Sequence, residues 1–227
     1  MNILSAIVAL RDDFIRWPNE RERTELAQRI DNQSRIPCVV GAIDGCHIII
    51  KQPVSNAVNF YNLNNQHSII LQRVCDDHKI FTDIFIGILG RVHDARVFRN
   101  SPLFEQLTGN PALLPPNQHL IGDAAYPLLT ILMKPFRNSD HLTPRQTRFN
   151  QVLSGQRSVI ERAFGLLKGK WRRLKYLDVA LAAKIPEVVL AACILHNFLL
   201  RRVKKHEYGE DAYNSKIMKM MKLIYKF

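Results

Sequence analysis

The sequence predicts an α/β protein in which three antiparallel strands open a mixed sheet and helices cover its faces. Two patterns support this fold class. Three runs rich in β-branched and aromatic residues occur between residues 37 and 89, and a single short turn separates the last two. Beyond residue 89 the apolar residues recur at helical spacing, interrupted by one further short apolar run.

The N-terminal segment is predicted to be helical. Its first helix covers residues 3–14 and ends before a Trp-Pro pair, and a charged helix follows at residues 19–30. Pro37 then opens the first strand, VVGAIDGCHIIIK, which carries one carboxylate near its middle.

The second and third strands read SIILQRVCD and KIFTDIFIGIL, at residues 68–76 and 79–89. Asp76, Asp77 and His78 form the turn between them, which is short enough for an antiparallel hairpin. Together with the first strand they form a three-strand meander.

The second half of the chain is mainly helical. After the third strand a helix is expected around residues 97–107, and a short strand ends at Gly122-Asp123. A polar loop is expected at residues 137–149, followed by an amphipathic basic helix at 155–176 and a buried helix at 186–202.

This order of elements is that of an RNase H-like core. We therefore predict three parts: an N-terminal helical segment at residues 1–36, an RNase H-like domain at 37–202, and a basic C-terminal tail at 203–227.

The chain is strongly basic, with a formal net charge of +12 and a pI of about 9.8. Such a charge favours a polyanionic partner, nucleic acid first, although excess Lys and Arg can also serve solubility alone. The four cysteines are isolated, which argues against a disulfide framework and against a zinc site. No apolar run is long enough for a membrane span.

Four acidic residues lie at junctions between predicted strands and helices or inside an apolar strand. Asp44 interrupts an apolar strand, Asp94 follows the third strand, Asp123 follows the fourth, and Glu161 lies in the basic helix. Neighbouring strands can bring Asp44 and Asp123 to one sheet edge. Clustered carboxylates raise one another's pKa, and a divalent cation resolves this conflict. Oxygen ligands of this kind suit Mg²⁺ or Mn²⁺.

Each acid except Asp44 also has a purely structural interpretation. Asp94 can be the N-cap of the following helix. Glu161 completes an S-x-x-E capping box with Ser158. Asp123 can be an ordinary turn aspartate. Asp44 is harder to explain, because strands are depleted in Asp.

Six sequence motifs occur in a fixed order: GAIDGCHI, HSIILQRVCD, GRVHDARVFRNSPLF, LIGDAAYPLL, RSVIERAFGLLKGKWRRL and AACILHN. They carry a resemblance to a known family that covers about residues 17–199. Together they resemble the DDE endonuclease domain of PIF/Harbinger transposases and the nucleases derived from them. The resemblance implies an RNase H-like fold and a catalytic triad of Asp44, Asp123 and Glu161. It also implies a metal site made by these three acids and Asp94, with Gly45 leaving room beside Asp44.

The chain departs from the family pattern in four places, one of which is GDAAYPL in place of the more usual Gly-Asp-Ser-Gly-Tyr-Pro. Cys46 stands where Thr is usual, and residues 62–65 lack two basic residues of an Asn-Arg-Lys-Gly run. Residues 1–36 contain no convincing DNA-reading helix, so we expect site recognition to be either missing or supplied by a separate DNA-binding partner protein.

The leading functional hypothesis is a divalent-metal-dependent endonuclease that hydrolyses DNA phosphodiester bonds, with strand transfer as a further reaction. The alternative is a domesticated, catalytically silent module that binds DNA or protein, and a third hypothesis is a basic RNA-binding protein. Residence in the nucleus is expected, with the cytoplasm left open.

The basic helix has two interpretations: it lines the DNA path, or it is a solvated amphipathic helix. In the first, phosphate contacts come from Arg157, Arg162, Lys168, Lys170, Arg172 and Arg173. His47 and His93 flank two of the acids and can orient a ligand or a phosphate, although packed histidines are the expectation. His196 is expected in the core.

Overall fold

A computed structural model describes residues 3–34, 36–53, 56–137, 141–178 and 184–208 of the 227-residue chain. The helices are α1 (Ile3–Val8), α2 (Arg11–Phe14), α3 (Glu20–Ser34), α4 (Asp94–Arg99), α5 (Pro102–Gly109), α6 (Pro144–Lys170) and α7 (Ile185–Tyr208). The strands are β1 (Val39–Ile49), β2 (Ser68–Cys75), β3 (Phe81–Leu89), β4 (His119–Ile121) and β5 (Leu132–Met133). Two short 3₁₀ helices cover Ala57–Phe60 and Arg172–Lys175.

The five strands form one mixed sheet in the order β3-β2-β1-β4-β5. β1, β2 and β3 pair antiparallel, whereas β4 runs parallel to β1 and β5 runs parallel to β4. The predicted fold class is confirmed: three antiparallel strands begin a mixed sheet with flanking helices, consistent with an RNase H-like fold.

Helices cover both faces of the sheet because its strands alternate between two apolar clusters. Ala42 and Ile48 of β1 face the larger cluster, which includes the N-terminal helices, α6 and α7. Val40 and Ile43 face the smaller cluster, which includes Phe98 of α4 and residues of α5. The central strand is therefore buried on both sides, and a polar side chain on it needs a specific partner.

The long helix α6 begins at Pro144, so the prediction of a polar loop over residues 137–149 is wrong for its second half. Thr143 accepts a hydrogen bond from Gln146 N, and the Gln146 side chain accepts one from Thr143 N, which makes a full capping box. The alternative capping box of Ser158 and Glu161 is therefore wrong, because Ser158 lies inside the helix.

The predicted helix 155–176 also ends early, because α6 stops at Lys170 and a separate 3₁₀ helix follows. The helix expected around residues 97–107 is divided into α4 and α5, since Ser101 caps α5 ahead of Pro102. The first predicted helix is likewise divided into α1 and α2. Strand β5 was not predicted.

Two buried polar residues of helix α7 form hydrogen bonds with the rest of the fold. His196 Nε2 lies 3.0 Å from Lys79 O, which confirms its place in the core. Asn197 donates to Phe14 O and Phe81 O and accepts from Phe81 N, so it joins the helix to β3.

The three-part division stays a prediction. Helix α7 continues past its boundary at residue 202, to Tyr208. Residues 209–227, most of the expected basic tail, lie outside the described residues. Among the helices of the described ranges, none combines the length and the apolar composition that crossing a membrane requires.

Candidate metal centre

Two of the acids lie at matching positions on neighbouring parallel strands. Ala42 of β1 pairs with Ile121 of β4, and both strands run in the same direction. Asp44 lies two residues beyond Ala42, and Asp123 lies two residues beyond Ile121. The predicted proximity of Asp44 and Asp123 at one sheet edge follows from this register.

The third acid, Asp94, is the first residue of α4 and not its N-cap, which is His93. The capping interpretation of Asp94 is therefore wrong. Its carboxylate occupies the space that a side chain at residue 45 would fill, because a Cβ built on Gly45 would collide with Asp94 Oδ1. Gly45 does leave room beside Asp44, and Asp94 fills it.

Asp44, Asp94 and Asp123 each place one carboxylate oxygen within 4.8 Å of those of the other two. All three residues are partly buried. Burial raises the pKa of Asp44 to about 7; Arg157 lowers it, and the charges of Asp123 and Asp94 raise it. Burial, and then the charge of Asp123, also raise the pKa of Asp94.

Backbone groups orient two of the carboxylates. Asp44 Oδ1 accepts a hydrogen bond from Gly45 N at 3.0 Å, and Asp123 Oδ1 accepts one from Ala125 N at 2.9 Å. The second bond is an Asx turn, so the turn interpretation of Asp123 is confirmed alongside its place in the cluster.

Glu161 lies outside this group of three. Its side chain is 55% exposed on α6 and forms an i,i+4 ion pair with Arg157, with Arg157 Nη2 to Glu161 Oε1 at 2.7 Å. Arg157 Nη1 also lies 3.5 Å from Asp44 Oδ2. The guanidinium of Arg157 therefore stands between the third member of the expected triad and the three aspartates.

The residues present fit a hard divalent cation. Three carboxylates supply only oxygen ligands, as Mg²⁺ and Mn²⁺ prefer, and burial together with the neighbouring acids raises the pKa of Asp44 although Arg157 is close. The assignment of Asp44, Asp94, Asp123 and Glu161 as metal ligands, and of Asp44, Asp123 and Glu161 as catalytic residues, stays a prediction.

The expected phosphate-binding residues do not share one surface. Arg157 is only 18% exposed and faces the acids. Lys168 is half-buried and donates to His47 O at 2.9 Å. The remaining four residues are exposed. Arg162 borders a depression beside α3. A second depression, beside α1 and α7, is bordered by Lys170, Arg172 and Arg173.

The two flanking histidines differ. His47 Nδ1 lies 2.8 Å from Ser68 Oγ, in agreement with the expected packed and hydrogen-bonded role. His93 is exposed at the start of α4.

Sequence reasoning missed two features of this centre. Arg157 was counted as a phosphate contact, although its spacing of four residues from Glu161 indicates an ion pair on one helix. Tyr126 is buried beside the acids, and its apolar surroundings in LIGDAAYPLL gave no signal of this.

We expect Gly45→Ala to fold but to lose metal affinity, with the dissociation constant rising at least about tenfold. The added Cβ would displace the Asp94 carboxylate, which is the end of a movable side chain. Calorimetric titration with Mn²⁺ measures this. Gly165→Ala on α6 is the control, because a Cβ there meets nothing within 4 Å. An unchanged dissociation constant in Gly45→Ala would show that Asp94 is not a ligand of the metal.

Comparisons with known proteins add independent findings. A family model described as DDE superfamily endonuclease matches residues 43–197, a range that contains all four acids. Antagonist of Like Heterochromatin Protein 1 of Arabidopsis thaliana is 30% identical over 198 residues, which are 82% of this chain and 50% of that protein. HARBI1 of Homo sapiens, whose name includes the word nuclease, is 29% identical over 218 residues, 94% of this chain and 59% of that protein.

A third relative, an ALP1-like protein of Arabidopsis thaliana, is 27% identical over 81% of this chain. The chain thus spans about half to three fifths of the length of these relatives. No solved structure gives a significant match. The resemblance to Harbinger transposase-derived nucleases is confirmed by the family match and by these relatives.

Proposed function

Because the chain belongs to the DDE superfamily endonuclease family, we propose that it is a divalent-metal-dependent endonuclease that hydrolyses DNA phosphodiester bonds. One observation carries the proposal: Asp44, Asp94 and Asp123 converge to within 4.8 Å in a partly buried place. Close carboxylate oxygens in a partly buried place are the ligands that a hard divalent cation takes. Strand transfer would be a further reaction of the same site.

Asp44, Asp94 and Asp123 would hold the cation, and Mg²⁺ or Mn²⁺ is the class that their oxygens fit. When bound, such a cation polarises a phosphodiester and lowers the pKa of a coordinated water. Deprotonated Asp44 is required to bind it, so the raised pKa of Asp44 makes the site dependent on pH near neutrality.

Arg157 would exchange partners when DNA binds. Its guanidinium now pairs with Asp44 and Glu161, and the same planar group can pair with a phosphate through two hydrogen bonds. Release of Glu161 from Arg157 would leave this acid able to complete the triad with Asp44 and Asp123. The exposed cations would neutralise phosphates without reading bases.

One observation favours the alternative of a catalytically silent module that binds DNA or protein. Glu161 is held by Arg157 and is not part of the group of three acids. If this pairing persists in the presence of metal and DNA, the centre would lack its third catalytic acid while the chain keeps its positive charge.

DNA is the proposed substrate, and the nucleus is the proposed compartment. Both are supported by the family and by the net charge of +12. A separate DNA-binding partner protein would supply site recognition, because contacts of the exposed cations with phosphates carry no sequence information.

The experiment is a Mn²⁺ titration by calorimetry on wild type and Asp44→Asn, with nicking of supercoiled plasmid read in parallel. The control is Asp31→Asn, the same chemical change on the exposed surface of α3. We expect metal binding and nicking in wild type and in the control, and neither in Asp44→Asn.

Metal binding without nicking in wild type would favour the silent module. Absence of metal binding in wild type would overturn the proposed function.

A further inference from the structure

One buried hydroxyl near the acids has no partner. Tyr126 is 1% exposed, and among the described residues its hydroxyl makes no hydrogen bond. A buried tyrosine hydroxyl usually finds a partner, since leaving a polar group unpaired in the interior is costly. A phenylalanine would fill the same apolar space without this cost, so the hydroxyl itself needs an explanation.

The ring of Tyr126 is held from two sides. Gly122 lies so close that a Cβ there would be 3.1 Å from the ring atoms Cγ and Cδ2. Phe98 packs edge-on with ring centroids 5.9 Å apart. Tyr126 N also donates to Asp123 O at 3.3 Å, which joins the residue to the turn of that acid. Packing therefore fixes the direction in which the hydroxyl points.

Tyr126 lies close enough to the acid cluster for its phenol to sense the charges of the acids. Burial raises the pKa of Tyr126 well above its usual value, and the charges of Asp94, Asp44 and Asp123 raise it further, in that order. Arg157, which pairs with Asp44, acts in the opposite direction. The charged groups that act on this phenol are thus those of the candidate metal centre.

We propose that Tyr126 is a positioning residue of the acid cluster, whose hydroxyl donates a hydrogen bond to the Asp94 carboxylate when the cluster holds a divalent cation. This inference rests on the proposed metal site. Asp94 is the acceptor because it lies at the start of α4, whose residue Phe98 packs against the same ring. The bond would fix which Asp94 oxygen faces the cation, as partners of metal ligands generally do.

Tyr126→Phe tests the proposal, because it removes one oxygen and keeps the ring that packs against Gly122 and Phe98. Mn²⁺ dissociation constants are measured by calorimetry at pH 8, and the electron paramagnetic resonance spectrum of the Mn²⁺-saturated protein reports the ligand arrangement. We expect a 10–100-fold weaker affinity, an altered spectrum at saturation, and a melting temperature of the metal-free chain no lower than that of wild type. Tyr176→Phe is the control, because Tyr176 is 55% exposed.

The outcomes separate the two proposals. If wild type and Tyr126→Phe bind Mn²⁺ equally and give the same spectrum, the role of Tyr126 is overturned and the metal site stands. If wild type binds no Mn²⁺, the metal site is overturned and the role of Tyr126 with it. Should Tyr126→Phe melt below wild type, affinities are compared at a temperature where both are folded, and equal values there also overturn the proposal.

Discussion

Replacing Asp44 by Asn is expected to stabilise the metal-free protein at pH 8, by about 2–4 kcal/mol, although it removes a candidate ligand. Burial is the main cause that raises the pKa of Asp44 to about 7 in the folded chain, from 3.8 for an unperturbed aspartate. Holding this carboxylate ionised therefore costs folding free energy. Asn has almost the same shape and carries no charge.

The pH dependence has a definite sign. Below about pH 4 the Asp44 carboxyl is protonated in both the folded and unfolded chains, and ionisation costs nothing. Between pH 4 and 7 the unfolded chain releases the proton that the folded chain keeps, so the free energy of unfolding falls as pH rises. Above pH 7 the loss is complete. The stability difference between Asp44→Asn and wild type should therefore grow from pH 4 to 7 and then level off.

Urea denaturation in a chelator at pH 5, 6 and 8 measures this difference, with Asp31→Asn as the control that should match wild type. Mn²⁺ at about 1,000 times its dissociation constant should reverse the order at pH 8, since it adds about 4.1 kcal/mol to the wild type alone. If Asp44→Asn is only as stable as wild type at pH 8 without metal, or less stable, the ionised form of Asp44 is not destabilised by burial.

Arg157→Gln is expected to bind Mn²⁺ about 10–100-fold more tightly than wild type at pH 8.5. In wild type the cation must displace a guanidinium that pairs with Asp44 and Glu161. Hydrogen bonds between charged groups contribute about 1.5–3 kcal/mol, and each 1.4 kcal/mol changes the affinity tenfold. The exposure of Glu161 reduces its share. The same variant should bind DNA more weakly, because it loses one phosphate contact.

The gain in Mn²⁺ affinity of Arg157→Gln over wild type should be smaller at pH 6. Arg157 lowers the pKa of Asp44, so its removal raises that pKa and leaves more of the ligand protonated in acid. Calorimetry at both pH values separates the two effects. Arg162→Gln, at an exposed site on the same helix, is the control and should leave metal affinity unchanged. Weaker binding by Arg157→Gln at pH 8.5 would mean that Arg157 supports the acids instead of competing for them.

The three antiparallel strands and Asp44 were accessible from sequence. The first three strands are long and apolar, and their pairing follows from short connections. Asp44 was recognisable because it contradicts the strand around it. In contrast, β5 has two residues and exists through its pairing with β4, which local sequence does not show.

The centre itself was only partly predictable. The contact between Asp94 and Gly45 joins residues on two elements that are distant in sequence, and it depends on how α4 packs on the sheet. The start of α6 was missed because Thr143 and Gln146 form a capping box inside a polar stretch. The ion pair between Arg157 and Glu161 was not predicted, because Arg157 was assigned to a DNA phosphate.

The parallel pairing of β1 with β4 also determines when the centre can exist during folding. The antiparallel strands β1, β2 and β3 join segments that follow one another, and such local contacts form early. Asp123 reaches Asp44 only after β4 pairs with β1 across an intervening stretch that includes β2, β3, α4 and α5. Closing a loop of this length is slow, so a partly folded chain with the meander alone has no assembled acid cluster. Under the proposed function, a basic chain that meets DNA before folding is complete would bind it before the acid cluster is assembled.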